Sequence, residues 1–208
     1  MRAYRAGIIS EATFEAELAA LEHGTSNGAG SGEFVALGKT FASEREAIAA
    51  MLDRFRSGEA SGEEAFNTWS AQCKTECIRS GLRMIAEREA YHKRIFERRL
   101  RDLGAECKAE TSALSREFIQ KLSDVNATDN EKLRYATSFT ADVDAFFKPF
   151  VELAENLKED LESKELLKLY VQDEISSAKW LMEACAALNG PATAASPKAA
   201  AAGVDAFV

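Results

Sequence analysis

Apolar residues recur three and four positions apart through most of residues 33–188, the spacing of a helix face turned toward a core. Four long segments carry it. The first is expected over 34–56, with Phe34, Leu37, Phe41, Ile48, Met51 and Phe55 on one seam, and SGEASG at 57–62 is expected to end it. The second is expected over 63–103. It opens with Phe66, Trp69, Cys73 and Cys77, continues with Ile78, Leu82, Ile85, Phe96 and Leu100, and stops at Gly104, a residue suited to a helix C-cap.

An extra helix is expected at 106–122, inside the long connection to the third segment. Thr128-Asp129-Asn130-Glu131 reads as a capping box that starts this third segment. It runs to about 158, with a kink at Pro149. The fourth starts near Ser163 and carries Leu167, Tyr170, Leu181 and Leu188.

The flanks differ in pattern. Residues 1–24 hold one short amphipathic helix with Phe14, Leu18 and Leu21 on its stripe, and TSNGAGSG at 25–32 is a flexible linker. An Ala/Pro-rich tail at 189–208 follows the stop signal Asn189-Gly190. Only three prolines occur in 208 residues, and Ala, Glu, Leu, Lys and Arg fill the segments between them, so the reading is all-α.

A net charge of −8 without any basic block argues against nucleic acid as a partner. No apolar run approaches the ~20 residues that cross a bilayer, so no membrane insertion is expected. No apolar core follows the two arginines of the first seven residues, and a cytoplasmic protein is expected. Four cysteines without a CxxC pair give neither a zinc ribbon nor a dithiol motif, and reduced thiols are expected.

Chemistry is carried by polar residues that interrupt the seams. Glu44, Glu89, His92 and Glu174 each fall where their helix points inward. A buried, unpaired carboxylate costs several kcal/mol, so such residues are neutralised by a partner, a proton or a metal. Glu89 and His92 form an E-x-x-H pair whose i,i+3 spacing puts an oxygen and an imidazole nitrogen on one helix face.

Three motifs together resemble the ferritin-like superfamily, and its rubrerythrin branch most. Phe41-Ala42-Ser43-Glu44-Arg45-Glu46-Ala47 is similar to its first-helix glutamate motif, and Glu87-Arg88-Glu89-Ala90-Tyr91-His92 to its second-helix ExxH. Asp173-Glu174-Ile175-Ser176-Ser177-Ala178-Lys179-Trp180-Leu181 is similar to the last-helix DExxHxxWL, with Ser177 where histidine belongs. The resemblance implies a four-helix bundle over 33–188 that binds iron or manganese through Glu44, Glu89, His92 and Glu174. It also implies ferroxidase, peroxide-reducing or oxygen-activating chemistry.

The chain departs from that pattern. It has two histidines, His23 and His92, and His23 falls outside the bundle, so two ExxH pairs are excluded. The third segment has no acid on its main seam, and a turn at 57–62 would leave Glu44 and Glu89 about 20 Å apart in depth. The expected site is therefore a reduced carboxylate/histidine group. The contrasting expectation is a metal-free helical scaffold or adaptor that engages a protein partner through the N-terminal helix or the C-terminal tail. Under either reading a homo-oligomer is expected, to cover apolar stripes such as Phe66 and Trp69.

Overall fold

The computed structural model describes residues 33–189. The N-terminal helix at 1–24, the linker at 25–32 and the tail beyond Asn189 lie outside the described residues. Within them are six helices and one small hairpin. The elements are β1 (Phe34–Ala36), β2 (Lys39–Phe41), α1 (Glu44–Gln72), α2 (Glu76–Asp102), α3 (Ala113–Ser123), α4 (Asp129–Ala136), α5 (Val143–Asn156) and α6 (Leu161–Asn189).

The helical expectation fails at 34–41, where the chain forms an antiparallel hairpin with Phe34 opposite Phe41. Its two-residue turn has φ of 47° at Leu37 and 76° at Gly38, the paired positive angles that suit a tight hairpin. Phe34 and Phe41 pack on the core from the strands, which is why they mimicked a helical seam. The helix begins at Ser43, a side-chain N-cap, instead. The Ser43 hydroxyl accepts from the Glu46 N–H at 3.2 Å, and the Ala42 N–H donates to the Glu46 carboxylate at 2.8 Å.

The expected turn at 57–62 is also absent. α1 runs straight through it, with Ser57, Glu59, Ser61 and Gly62 all buried. These small residues form a close-packing face, and the Ser61 hydroxyl is satisfied inside the helix by the Ser57 carbonyl at 3.0 Å. The chain reverses at Cys73-Lys74-Thr75 instead, where Asp129 clamps it. One Asp129 oxygen accepts the Lys74 and Thr75 N–H groups and the Thr75 hydroxyl, and the other accepts the Trp69 indole N–H. With the turn there, Glu59 and Glu89 each lie fifteen residues from Lys74 and stand level on neighbouring helices.

α2 ends at Gly104, which takes a φ of 65°, as the sequence indicated. The extra helix is shorter than expected and packs on α1 as α3. The Thr128/Glu131 capping box opens α4. The third segment is then broken at 137–142 rather than at Pro149, which sits inside α5. Thr137 and Ser138 turn their hydroxyls back onto the Leu133 and Tyr135 carbonyls, and Asp142 caps the restart; such local bonds compete with helix continuation. At the start of α6, the Asp160 carboxylate accepts the Ser163 N–H at 2.9 Å, the capping role expected of Ser163.

Two apolar clusters fill the interior. One gathers Ile48, Leu52 and Phe55 of α1, Phe96 and Leu100 of α2, and Leu167 and Tyr170 of α6. The other gathers Phe66 and Trp69 of α1, Leu82 and Ile85 of α2, and Leu181 of α6. Phe66 and Trp69 are thus covered within the chain, by Phe118 and the Asp129 clamp among others, and need no second copy. On all three long helices the segment between the clusters is polar: Glu59 on α1, Glu89 and His92 on α2, Asp173, Glu174 and Ser177 on α6. No helix of the described residues is long and apolar enough to cross a membrane.

Candidate metal centre

The polar layer converges on His92, of which only 1% is exposed. Its Nδ1 lies 3.0 Å from Glu59 Oε2 and 3.5 Å from Glu174 Oε1, and its Nε2 lies 3.2 Å from Asp173 Oδ2. One ligand atom each from Glu59, His92 and Glu174 falls within 4.8 Å of the others. Three helices therefore present two carboxylates and one imidazole nitrogen to a common point.

Each side chain is oriented by its surroundings. The Tyr170 hydroxyl donates to Glu59 Oε1 at 3.1 Å, leaving Oε2 to face the imidazole. The Tyr170 ring meets the His92 ring edge-on at 5.1 Å, and Phe96 stacks near it at 6.4 Å, with the Phe96 and Tyr170 rings themselves in edge contact at 5.0 Å, so the imidazole packs against an aromatic pair. Asp173 faces Nε2 at 3.2 Å and Glu59 faces Nδ1 at 3.0 Å; with the proton on Nε2, Nδ1 is the ligand nitrogen, the arrangement in which a carboxylate fixes the tautomer of a metal-binding histidine. Glu174 Oε1 is buried without a hydrogen-bond partner, a state that calls for a proton or a cation.

The electrostatics agree. Burial, then the negative charge of Glu174, pushes the Glu59 carboxyl well above its ordinary value. Burial, then the charges of Glu59 and Glu174, does the same to Glu89, whose carboxyl shares a hydrogen bond with Glu59. Burial pulls the His92 imidazole down, but the Glu174 carboxylate 3.5 Å away, helped by Asp173 and Glu89, more than reverses this and leaves it raised. Without a cation the group therefore retains protons, and a metal entering it would displace them.

Of the residues expected from sequence, Glu89, His92 and Glu174 come together, and Glu89 stands beside Glu59. Glu44 does not join them. It lies fifteen residues before Glu59, roughly 22 Å along the helix axis, and its carboxylate accepts the N–H groups of Lys158, Glu159 and Asp160 at 2.8–2.9 Å. Its inward position was read correctly, but its partner is backbone. Ser177, at the place of the family's last histidine, accepts from the Arg88 guanidinium at 3.0 Å.

Sequence reasoning missed Glu59, although the signal was there. The seam Met51, Phe55, Glu59, Gly62, Phe66, Trp69, Cys73 keeps its three-and-four spacing without a slip. The Ser/Gly composition of 57–62 was weighed above that unbroken phase. Asp173 has no inward seam position in the sequence, and its place at the group comes from its contact with His92 Nε2 at 3.2 Å. The acids of α5 pair elsewhere, Asp144 with Lys179, Glu152 with Lys148 and Glu155 with Lys168, so α5 supplies no carboxylate to the group. No family model, curated protein or solved structure matches the chain.

Proposed function

We propose that the protein is a ferritin-like helical protein holding one divalent iron or manganese ion through Glu59, His92 and Glu174, with the Glu89 carboxyl beside it. The single observation that carries this reading is the convergence of those ligand atoms within 4.8 Å between two apolar clusters. One nitrogen and two or three carboxylate oxygens form a donor set suited to such ions, and no thiolate is present to favour a softer metal. The pattern of one Glu from α1, Glu89-x-x-His92 from α2 and Asp173-Glu174 from α6 supports the ferritin-like assignment. Ser177 in place of a second histidine, and the lack of an acid from α5, favour one ion over two.

When bound, such an ion supplies a Lewis acid with one-electron redox capacity and positions left for dioxygen or peroxide. The chain's own residues do the rest. Asp173 holds the Nε2 proton, Tyr170 orients Glu59, and the two apolar clusters keep bulk water from the group. The Glu59–Glu89 pair stores a proton that the arriving cation releases.

Metal analysis of protein purified without chelators tests this directly. Close to one equivalent of iron or manganese per chain is expected, lost in His92→Ala and Glu59→Gln and kept in Glu44→Gln. Metal-free protein that takes up neither ion after reconstitution sinks the proposal and leaves the scaffold reading in its place.

A further inference from the structure

A cavity of about 190 Å³ opens beside the carboxylates. Its inner end is formed by Glu59, Glu89 and Glu174, and its walls by Phe66, Phe118, Phe139, Phe147 and Phe150. The exposed rim carries Arg54 and Glu110. The break between α4 and α5 takes part in this wall, because Phe139 and Thr140 come from it. Its lining is mainly apolar, with acidic groups gathered at the inner end. A cavity of ~150 Å³ lined by aliphatic and aromatic side chains stays dry and admits benzene.

We propose that this cavity binds a small, uncharged, apolar molecule of about one aromatic ring and presents it to the metal group. The proposal rests on the metal reading above for what happens at the inner end, but the pocket itself does not need the ion. Size comes from the volume, which exceeds that of a benzene-binding cavity by little more than a methyl group. Apolarity comes from the phenylalanine walls. Neutrality comes from the lining: the acids at the inner end and Glu110 at the rim offer an anion no counter-charge, and Arg54 is the single cation among the described lining residues. A cationic ligand would compete with the metal for the same oxygens.

Unfilled apolar space also has an energetic meaning. Side chains facing a void lose dispersion contacts that a close-packed core would keep. The clusters above and below this layer contain fully buried Trp69, Phe96, Leu52 and Leu82, so the fold packs tightly where no ligand has to enter. In the layer between them, Glu59, Glu89 and Glu174 line open space.

Toluene, benzylamine and benzoate form a probe series of nearly one shape and three charges. Millimolar toluene is expected to raise the thermal midpoint of the EDTA-treated full chain by roughly 2–4 °C, and benzoate to leave it unmoved. In cobalt(II)-loaded protein, toluene is expected to shift the visible absorption bands of the ion without releasing it. Leu114→Trp and Ala178→Phe would fill the lining from two different helices. Both are expected to abolish the toluene effects while retaining cobalt, and the use of two helices keeps the test alive if one variant fails to fold.

No midpoint rise with toluene, or a rise that persists in both filled variants, overturns the pocket. Benzoate matching toluene, or benzylamine binding more tightly while expelling cobalt, overturns the neutral-ligand assignment. A midpoint rise with unmoved cobalt bands overturns presentation to the metal. If cobalt does not bind at all, the metal reading fails by itself. The toluene response of metal-free protein and its loss in the filled variants would still uphold the pocket.

Discussion

Asp53 and Glu59 lie six residues apart on α1, and both are buried acids, yet they have opposite surroundings. Asp53 accepts the N–H groups of Lys108 and Ala109 at 2.7 and 2.6 Å and the Arg56 guanidinium at 2.9 Å. Burial alone would raise its pKa, but those donors outweigh it and leave the carboxylate lowered. Glu59 instead faces Glu89, Glu174 and an imidazole, with one phenol as a firm donor, and is raised. Asp129 at the α1–α2 turn and Glu44 at the α6 entrance belong with Asp53, each accepting several backbone N–H groups. Burial of a carboxylate therefore does not by itself distinguish these acids; the number of donors around it does, and the donor-poor group is the one proposed to hold the ion.

The largest effect should come from breaking the donor-poor group. An ion present at a thousand times its dissociation constant adds about 4 kcal/mol to stability, and His92→Ala should remove that increment. Urea unfolding with and without manganese(II) measures it. A metal-dependent increment that survives in His92→Ala would break the distinction between the two kinds of acid.

The donor-rich acids should respond in the opposite manner. Glu44→Ala leaves three N–H groups at 158–160 without their carboxylate, and loss of a charged acceptor from partly buried donors costs about 1–3 kcal/mol. The thermal midpoint should fall while metal stoichiometry stays at the wild-type value. Loss of metal together with stability would place Glu44 back among the ligands.

The same contrast explains what the sequence disclosed. Glu89, His92 and Glu174 were legible because each interrupts an apolar seam inside an unbroken helix. Glu44 was legible as inward-facing, but a sequence pattern cannot say whether an inward carboxylate will meet a cation or a row of N–H groups from a loop more than a hundred residues away. Glu59 was hidden by Ser57, Gly58, Ser61 and Gly62, residues that usually mark a turn; here they continue the helix, and Gly62 lets the Glu89 side chain approach. The hairpin at 34–41 was hidden because Phe34, Leu37 and Phe41 satisfy a helical spacing and a cross-strand pairing equally well. In each case tertiary packing decided between two local readings of the same residues.

Acidity should separate the two regions with opposite sign. Asp53 and Asp129 have lowered pKa values, so their stabilisation is present above the ordinary 3.8 and is lost as pH falls through the lowered values. Glu59 and Glu89 are raised above the ordinary 4.5, and His92 above 6.5. Their protonated forms are favoured by folding, so that contribution is complete below the ordinary values and is lost as pH rises through the raised ones. EDTA-treated protein should lose stability from mildly acidic toward alkaline pH. Glu59→Gln should flatten the decline, and saturating manganese(II) should reverse it because the ion replaces the protons. A metal-free profile that rises between pH 5 and 8 would contradict the proton-holding centre.

The smallest and most local effect concerns two glycines one turn apart on α1. A Cβ at Gly58 would meet nothing within 4 Å, whereas one at Gly62 would stand 2.2 Å from Glu89 Oε2. Gly→Ala within a helix is worth up to ~1 kcal/mol in propensity, so Gly58→Ala should gain about that much and leave metal affinity alone. Gly62→Ala gains the same propensity but forces the Glu89 carboxyl to swing away, breaking its hydrogen bond to Glu59. The two contributions to stability should nearly cancel, within about 1 kcal/mol, since the obstructed group is the far end of a flexible side chain. Metal affinity should fall several-fold in Gly62→Ala alone, read by competition with a chromogenic chelator. Equal affinities in the two alanine variants would mean that Glu89 is a bystander to the group formed by Glu59, His92 and Glu174.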